Sequence, residues 1–233
     1  MNIITVIPAR GGSKSIPMKN IKRLGGKPLV WYSIQYSLKC QLISHTVVST
    51  DSEKIAEISL QCGAEVPFIR PSRLSMDDTP DYPVFRHALD TLESVWNVKI
   101  DTIILLRPTS PLRSPGLIER GIDLLRSFPD ATSVRSVTLS REHPYRQWRI
   151  EGDYMVGYEE KVFEPYNLER QKLPTVYFQT GDIEIIRRET LLDGSISGNR
   201  VLPLLIKHEE MVDIDYESDF KEAEKKLVNS ENT

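Results

Sequence analysis

Positively charged residues cluster in a glycine-containing loop near the start of the chain, IPARGGSKSIPMKN. The backbone N–H groups of Gly11 and Gly12 can approach phosphate oxygens closely, because neither residue carries a side chain. A guanidinium such as Arg10 grips phosphate through two hydrogen bonds, whereas the ammonium groups of Lys14 and Lys19 supply movable charge. The residue order matches neither the Walker P-loop nor the G-x-G-x-x-G dinucleotide motif. The loop therefore predicts a phosphate site of another kind, with a solvated basic loop as the alternative.

The charge of the chain is unevenly distributed. Residues 1–50 contain seven Lys and Arg residues and no Asp or Glu, whereas the whole chain of 233 residues has a formal net charge of −3. A local positive field on an otherwise acidic protein favours a compact anionic ligand, because a nucleic-acid surface would require a broader basic face. We therefore expect a small phosphate-bearing ligand and no nucleic-acid partner.

A pair of acidic residues lies near the end of the chain, in the stretch VDID. On an extended strand, residues two apart point to the same side, so Asp213 and Asp215 project together while Ile214 faces the core. Two adjacent carboxylates repel each other unless a cation lies between them or one of them is protonated. Mg²⁺ prefers such oxygen ligands together with substrate phosphates. The pair therefore predicts a magnesium site, with two exposed acids before a helix as the alternative.

A third candidate loop, RPTSPLR, begins at Arg107 directly after an apolar run. Ligands of open α/β sheets bind at the carboxyl ends of the strands, so we expect this loop to line the same crevice as the basic loop. Its two prolines make it stiff, which suits a ligand platform, although a rigid surface turn would have the same composition.

Short apolar runs alternate with segments of helical periodicity along most of the chain. This alternation is typical of βαβ units, whose right-handed connections build a parallel sheet. We therefore predict an α/β fold with a mostly parallel sheet. The predicted strands are residues 2–7, 46–50, 64–69, 102–106, 176–186 and 201–206, and the predicted helices begin near Pro28 and Ser52 and cover residues 84–95, 115–127 and 216–227.

The pattern changes between about residues 138 and 175. Residues 149–158, RIEGDYMVGY, are typical of a small hairpin that turns at Gly152 and Asp153, and the polar stretch after them lacks clear periodicity. We therefore predict a single domain, residues 1–233, with a small lobe inserted at about 138–175.

Neither a targeting segment nor a membrane segment is indicated. The first residues, MNIITVIPAR, lack the basic stretch and long apolar run of a signal peptide. No apolar run approaches the roughly 20 residues that a membrane helix needs. The two cysteines, Cys40 and Cys62, show no metal or disulfide spacing, which favours reduced thiols. We therefore expect a cytoplasmic protein with no membrane partner.

Four stretches, IPARGGSKSIPMKN, VVSTDS, RPTSPLR and VDIDYESDF, occur in the order seen in N-acylneuraminate cytidylyltransferases, also called CMP-sialic acid synthetases. The chain resembles this family over nearly its whole length. The resemblance implies a Rossmann-like three-layer α/β nucleotidyltransferase fold and a homodimer formed through the small inserted dimerisation lobe. It also implies a Mg²⁺-dependent reaction, in which CMP passes from CTP to the anomeric hydroxyl of a nonulosonic acid and pyrophosphate is released. The product would serve lipopolysaccharide or capsule biosynthesis.

The resemblance also assigns roles to residues that would bind the nucleotide and the metal. The triphosphate would contact the basic loop, namely Arg10, Gly11, Gly12, Ser13, Lys14 and Lys19. The three cations among them would stabilise charge on the transferred phosphorus and on the leaving pyrophosphate. Asn20 would recognise the cytosine with help from Arg70, and Asp213 and Asp215 match the Mg²⁺ ligands.

The residues that the resemblance assigns to the sugar depart from the usual pattern. The assigned residues are Arg107, Arg146, Arg170, Thr180 and Asp182. Sialic acid enzymes usually have Gln where this chain has Arg107, and they tend to read NGAIY where this chain reads TGDIE, which ends at Glu184. An added arginine and an added carboxylate would change which substituents fit. N-acetylneuraminate, legionaminate, pseudaminate and octulosonate therefore all stay open as acceptors.

Two other functions stay open as well. The first is a nucleotidyltransferase for another nucleotide or sugar, such as 3-deoxy-octulosonate, although the enzymes for that sugar lack the GGSK element. The second is an inactive homologue that binds nucleotide and serves as a regulatory or scaffold subunit. Retention of the basic loop together with both aspartates argues against it.

Overall fold

The structure is a computed structural model and describes residues 1–231. Its strands, in chain order, are β1 (Ile3–Pro8), β2 (Arg23–Leu24), β3 (Lys27–Pro28), β4 (His45–Ser49), β5 (Thr102–Leu105), β6 (Ser133–Leu139), β7 (Trp148–Glu151), β8 (Tyr154–Gly157), β9 (Tyr177–Arg187) and β10 (Val201–Leu205). Its α-helices are α1 (Leu29–Leu38), α2 (Glu53–Gln61), α3 (Asp81–Trp96), α4 (Leu117–Ser127), α5 (Arg188–Leu192) and α6 (Glu217–Glu231).

A six-stranded sheet forms the centre of the protein, with the strand order β10-β6-β9-β5-β1-β4. Strand β1 pairs in parallel with both β4 and β5, and β10 pairs in parallel with β6. Strand β9 lies between β5 and β6 and is antiparallel to both. Five strands therefore run in one direction and carry their following loops to the same edge. The predicted α/β fold with a mostly parallel sheet is confirmed.

Helices cover both faces of the sheet because the side chains of each strand alternate between two apolar cores. Ile3 and Ile7 of β1 pack with residues of α1 and α4, whereas Ile4 and Val6 pack with residues of α3. Gly121 lets α4 approach β9 closely, since a Cβ there would lie 2.4 Å from Ile185 Cδ1. The result is the three-layer arrangement that the resemblance implied.

One predicted strand is wrong. Residues 64–69 make only a single parallel bridge, from Glu65 to Val47, and then leave the sheet. Pro67 has no N–H to donate to a strand ladder, so the pairing cannot continue past it.

The sequence also missed β6, which pairs with both β9 and β10. The apolar residues Val134 and Val137 are three positions apart, which breaks the period of two expected for a strand. Burial in β6 still alternates, with Val134, Ser136 and Thr138 buried, but two of these three side chains are polar, so the strand shows no apolar alternation. The register shift between Arg135 and Val137 is taken up by additional residues on β9.

The segment between β6 and β9 forms the lobe, which contains the two-stranded sheet of β7 and β8. Its hairpin turns at Gly152, whose φ of +63° favours glycine, so the predicted hairpin is confirmed. Among the described residues, no helix combines the length and the apolar character that crossing a bilayer requires.

Candidate active site

A cleft of about 370 Å³ lies where the loops after β1 and β5 leave the sheet. Both predicted ligand loops line it, as their positions at the carboxyl ends of parallel strands indicated. The segment that follows α2 and leads into the first turn of α3 completes the lining with Leu74, Met76, Asp77, Thr79 and Asp81. The predicted site residues that line the cleft are Arg10, Ser13, Lys14, Lys19, Asn20, Arg70, Arg107 and Asp215.

The basic loop is held in shape by its own polar contacts. The Gly11 N–H donates to Asp51 Oδ1 at 2.9 Å, and Asn20 Nδ2 donates to the Arg10 carbonyl at 2.9 Å. Gly11 also lies close to the start of α2, since a Cβ on it would be 3.1 Å from Ser52 Cβ. Gly12 has open space around its Cα. The buried Asn20 side chain therefore fixes the loop, in addition to any contact it makes with a ligand.

Two cations of the loop converge on one carboxylate. Arg10 Nη1 lies 2.5 Å from Asp77 Oδ1, and Lys14 Nζ lies 2.8 Å from Asp77 Oδ2. The hydrogen bonds from Lys14 and Arg10 lower the pKa of Asp77 below its ordinary value. We call Arg10, Lys14 and the backbone between them the cradle. The cradle can hold an anion, and in this structure the anion is Asp77.

Lys19 links the basic loop to the acidic stretch. Its Nζ donates to the Ile214 carbonyl at 2.9 Å and to Asp215 Oδ1 at 3.2 Å. The acidic stretch is extended but does not join the sheet, which corrects the expected strand. The Ile214 N–H donates to the Thr109 carbonyl at 2.8 Å, and the Ile214 side chain is fully buried. The acidic stretch is therefore attached to the RPTSPLR loop.

The two aspartates have different surroundings. Asp215 lines the cleft, whereas Asp213 lines a neighbouring cavity with Arg141, His208 and Met211. Burial of the Asp213 carboxyl raises its pKa above the ordinary value, and the negative charge of Asp215 raises it further. A hydrogen bond with Thr109 acts in the opposite direction and lowers the pKa.

The donor set can be tested against a divalent cation. No cluster of three or more His, Cys, Asp or Glu side chains suited to a metal is found among residues 1–231. Mg²⁺ commonly takes one or two carboxylates and completes its shell with water and substrate phosphates, so the pair Asp213 and Asp215 fits that pattern. The two carboxylates also repel each other, and a cation bound between them would reduce this repulsion.

Arg107 is held from two sides. Its Nη2 lies 2.7 Å from Asp81 Oδ2 and 2.9 Å from Glu184 Oε1, and Glu184 Oε2 lies 2.8 Å from Arg135 Nη2. Burial acts to lower the pKa of Arg107, but Asp81 and Glu184 outweigh it and raise the pKa above its ordinary value. The guanidinium is therefore charged and fixed in orientation at the end of β5.

Arg113 connects the RPTSPLR loop to α1 and β9 through hydrogen bonds. Its guanidinium donates to the Asp182 carbonyl at 2.5 Å, the Ser33 hydroxyl at 3.0 Å and the Arg107 carbonyl at 2.6 Å. Burial lowers the pKa of Arg113 to about 10, and Asp182 opposes this shift. The side chain connects α1, β9 and the loop, so it fixes the position of Arg107.

The sequence of this chain matches a family model over residues 4–231, and the family is described as cytidylyltransferase. The chain belongs to this cytidylyltransferase family. The expectation of a nucleotidyltransferase enzyme is therefore confirmed, as is the resemblance on which it depended.

Two relatives and one solved structure illustrate what this cytidylyltransferase is similar to. It is 32% identical to the CMP-N,N'-diacetyllegionaminic acid synthase of Legionella pneumophila, over 97% of this chain and 96% of that one. It is 31% identical to post-translational flagellin modification protein B of Campylobacter coli, over 95% and 93% of the two chains. The structure of CMP:2-keto-3-deoxy-manno-octonic acid synthetase complexed with CTP has a TM-score of 0.74 at 15% identity, covering 99% of this chain and 100% of that one. At that identity the likeness extends to the fold alone.

Four residues assigned to the sugar lie outside the lining of the cleft in this single chain. Thr180 and Asp182 are buried in β9, and burial raises the pKa of Asp182 although Thr180 and Arg113 oppose the rise. Arg146 and Arg170 are exposed in the lobe, where Arg146 Nη2 donates to the Leu168 carbonyl at 3.1 Å. Of the residues assigned to the sugar, Arg107 is the one that lines the cleft of this cytidylyltransferase.

Two of the carboxylates that line the cleft, Asp77 and Asp81, were not predicted from the sequence. Both belong to the stretch RPSRLSMDDTPDYP, a polar and proline-rich segment that ends in the first turn of α3. The sequence feature that could have indicated them is the group of three aspartates at positions 77, 78 and 81, because the basic first 50 residues contain no acid to pair with. Asp51, directly before the helix start expected near Ser52, accepts the hydrogen bond from Gly11, while Ser52 caps α2.

Proposed function

We propose that this cytidylyltransferase transfers CMP from CTP to the anomeric hydroxyl of a nonulosonic acid and releases pyrophosphate. The observation that carries the proposal is the convergence of Arg10, Lys14, Lys19 and Asp215 on one cleft of a family member. A triphosphate needs several positive charges close together, and the basic loop alone brings three of them to the cleft, Arg10, Lys14 and Lys19.

The triphosphate of CTP would enter the cradle and contact Arg10 and Lys14. Arg10 is suited to two parallel hydrogen bonds, and the exposed Lys14 can follow the phosphate as charge moves during reaction. Open space at Gly12 lets the phosphate chain approach the backbone. Asn20 and the buried Arg70 line the same cleft and would contact the cytosine.

The reaction itself would be an in-line displacement at the α-phosphate. The acceptor hydroxyl oxygen forms the new bond to the α-phosphorus and gives up its proton to water. The bond from the α-phosphorus to the oxygen that bridges to the β-phosphate breaks, and pyrophosphate leaves with that electron pair. Lys19 is held by Ile214 and Asp215, so its charge lies at a fixed place beside the cradle. Such fixed charge lowers the barrier because it requires no rearrangement when negative charge develops.

Mg²⁺ is part of the proposal. Asp213 and Asp215 would hold it, and the ion would supply positive charge that neutralises the phosphate oxygens. Lys19 contacts Asp215 and keeps that carboxylate at the edge of the cleft.

The acceptor would contact Arg107, which lines the same cleft as the cradle. We further propose a homodimer, in which the lobe of each chain brings Arg146 and Arg170 to the acceptor bound by the other. The lobe and the adjoining start of β9 carry an unusual set of exposed apolar side chains, Ile150, Tyr154, Met155, Phe163, Tyr177 and Phe178, which supports an interface.

A legionaminic-type acid is the first acceptor to test, supported by the relative from Legionella pneumophila that is named for that sugar. The decisive experiment measures pyrophosphate release from CTP and Mg²⁺ with legionaminate, N-acetylneuraminate, pseudaminate and 3-deoxy-octulosonate. We expect release with a nonulosonic acid, and none when the acid is omitted or when EDTA removes the metal.

The possible outcomes separate the functions that the sequence left open. Turnover with 3-deoxy-octulosonate alone would contradict the nonulosonate assignment. CTP binding without turnover for any acid would favour an inactive homologue. Turnover equally well with another nucleoside triphosphate would contradict the role of CTP. The free thiols of Cys40 and Cys62 support the expectation that the protein works in the reducing cytoplasm.

A further inference from the structure

The side chain of Asp77 lies where a phosphate would be expected in the cradle. Its two oxygens are divided between the two cations, with Oδ1 at 2.5 Å from Arg10 Nη1 and Oδ2 at 2.8 Å from Lys14 Nζ. A phosphate group offers two oxygens at a similar separation to the same donors. The carboxylate therefore uses the hydrogen-bond donors that the proposed triphosphate needs.

The pairing with Asp77 also determines where the charged groups of Arg10 and Lys14 lie. Arg10 and Lys14 carry like charges and share one small region, so they would repel each other without an anion between them. The Lys14 side chain is 79% exposed, so little protein surface restricts it apart from the contact with Asp77. A single carboxylate between the two groups thus keeps them together and pointing into the cleft.

The segment that carries Asp77 is attached to the protein mainly at its ends. Arg70 Nε donates to Ser75 Oγ at 3.0 Å on one side, and α3 begins at Asp81 on the other. In the described part of the chain, Asp77 is the only residue among 76–79 whose side chain makes a hydrogen bond or ion pair. Displacing Asp77 would therefore break these two contacts without disrupting a larger polar network.

We infer that Asp77 is a positioning residue that occupies the phosphate site until the polyphosphate of a nucleotide displaces it, an inference that rests on the proposed function. The polyphosphate prevails because it carries several negative charges, whereas Asp77 carries one. After pyrophosphate forms, Asp77 competes with it for Arg10 and Lys14 and favours its release. The residue thus weakens the binding of substrate and product phosphates alike.

This role makes a prediction that a merely structural role would not. Replacing Asp77 by Asn removes the competing charge, so binding of any polyphosphate should become tighter. Exposed ion pairs are individually weak, so we expect the dissociation constants of CTP and of inorganic tripolyphosphate to fall about threefold to tenfold. The inhibition constant of pyrophosphate should fall by a similar factor, and the KM of the acceptor should not change.

The matched control is Asp78→Asn, which removes the same charge one residue further along. Asp78 is exposed and is not among the residues that line the cleft, so we expect less than a twofold change in each constant. Asp77→Glu keeps the charge and should stay close to the wild type. Thermal denaturation of all three variants checks that the fold is retained.

Calorimetric titration with tripolyphosphate tests the inference without any base or sugar. Unchanged or weaker tripolyphosphate binding in Asp77→Asn would overturn it, as would an equal tightening in Asp78→Asn. Titration with CTP tests the proposed function separately. A wild type that binds tripolyphosphate but not CTP would contradict the cytidylyl reaction, while the Asp77→Asn result would still decide the role of Asp77.

Discussion

Arg10 and Arg107 lie in the same cleft and are exposed to a similar degree, 32% and 28% of their side chains, yet they are held very differently. Arg10 pairs with one carboxylate, Asp77, on a segment with few other contacts. Arg107 pairs with Asp81 at the start of α3 and with Glu184, whose side chain is 2% exposed. The partner of one arginine can move aside, whereas the partners of the other are part of the core.

The difference matches what the two ends of the cleft would have to do. In the proposed reaction, phosphate groups arrive as triphosphate and leave as pyrophosphate, so cations that bind them would have to exchange partners in every cycle. Recognition of an acceptor depends on shape, and a fixed guanidinium rejects a poorly matched substituent because it cannot adjust. One cleft therefore combines an arginine whose partner can be exchanged, Arg10, with an arginine held by the core, Arg107. We call the first with its partner the exchangeable end and the second with its partners the rigid end.

The largest effect is expected at the rigid end, from Glu184→Gln. This change leaves the guanidinium groups of Arg107 and Arg135 without their shared buried carboxylate. Breaking a buried ion pair from one side typically costs about 3–5 kcal/mol, so the free energy of unfolding should fall by about that amount. Denaturant unfolding measures it, and a loss below about 1 kcal/mol would show that the rigid end is not rigid.

The next effect is expected at the exchangeable end, from Arg10→Ala. Loss of a charged donor to the reacting phosphates should lower kcat/KM for CTP by about 10²- to 10³-fold, with little change in stability. Steady-state kinetics measures this effect. Arg23→Ala is the matched control, because Arg23 is exposed and lies outside the lining of the cleft. Equal losses in both variants would point to the general charge of the region and against a specific contact.

A smaller effect is expected from Asp81→Asn, which removes the more exposed of the two partners of Arg107. Stability should fall by no more than about 1 kcal/mol, because Glu184 still holds the guanidinium. The KM for the acceptor should rise more than the KM for CTP. A larger change for CTP would mean that Arg107 belongs to the nucleotide end.

The smallest effects concern pH, where two carboxylates should behave in opposite ways. Lys14 and Arg10 lower the pKa of Asp77, so its contribution to stability exists above its unfolded-state pKa and is lost as the pH falls through the folded-state pKa. Burial raises the pKa of Asp182, so its contribution exists below its unfolded-state pKa and is lost as the pH rises through the folded-state pKa.

Each contribution can be isolated by comparison with the asparagine variant. The difference in unfolding free energy between wild type and Asp77→Asn should increase as the pH rises from below 3.8, the ordinary carboxyl value, to neutral. The difference between wild type and Asp182→Asn should decrease over the same range. Denaturation curves at several pH values measure both differences. If the two differences changed with pH in the same direction, the opposite roles of Asp77 and Asp182 would be contradicted.

The sequence predicted the parts of the fold and site that depend on local pattern. Strands β1, β4 and β5 follow from apolar runs, and the rule that parallel strands carry loops to one edge brought the loops at Arg10 and Arg107 together. Strand β6 was missed because two of its three alternating buried residues, Ser136 and Thr138, are polar. Residues 64–69 were misassigned because Pro67 outweighs the β-branched residues around it.

The partners of the charged residues could not be predicted, because pairing depends on tertiary distance. Asp77 is separated from Arg10 by 67 positions, and Glu184 from Arg107 by 77. The sequence identified Glu184 only as a departure from a family pattern, without indicating that it is buried between two arginines. The exchangeable end and the rigid end were therefore indistinguishable until the contacts were known.

The antiparallel direction of β9 has one more consequence. Strand β6 ends at the edge of the sheet where the cleft opens, and β9 starts at that same edge, so the whole lobe enters and leaves the core there. An insertion or deletion in the lobe changes the length of one connection between β6 and β9 and leaves the strand order intact. The length of the lobe can therefore vary without moving β1 and β5, the strands that carry the loops at Arg10 and Arg107.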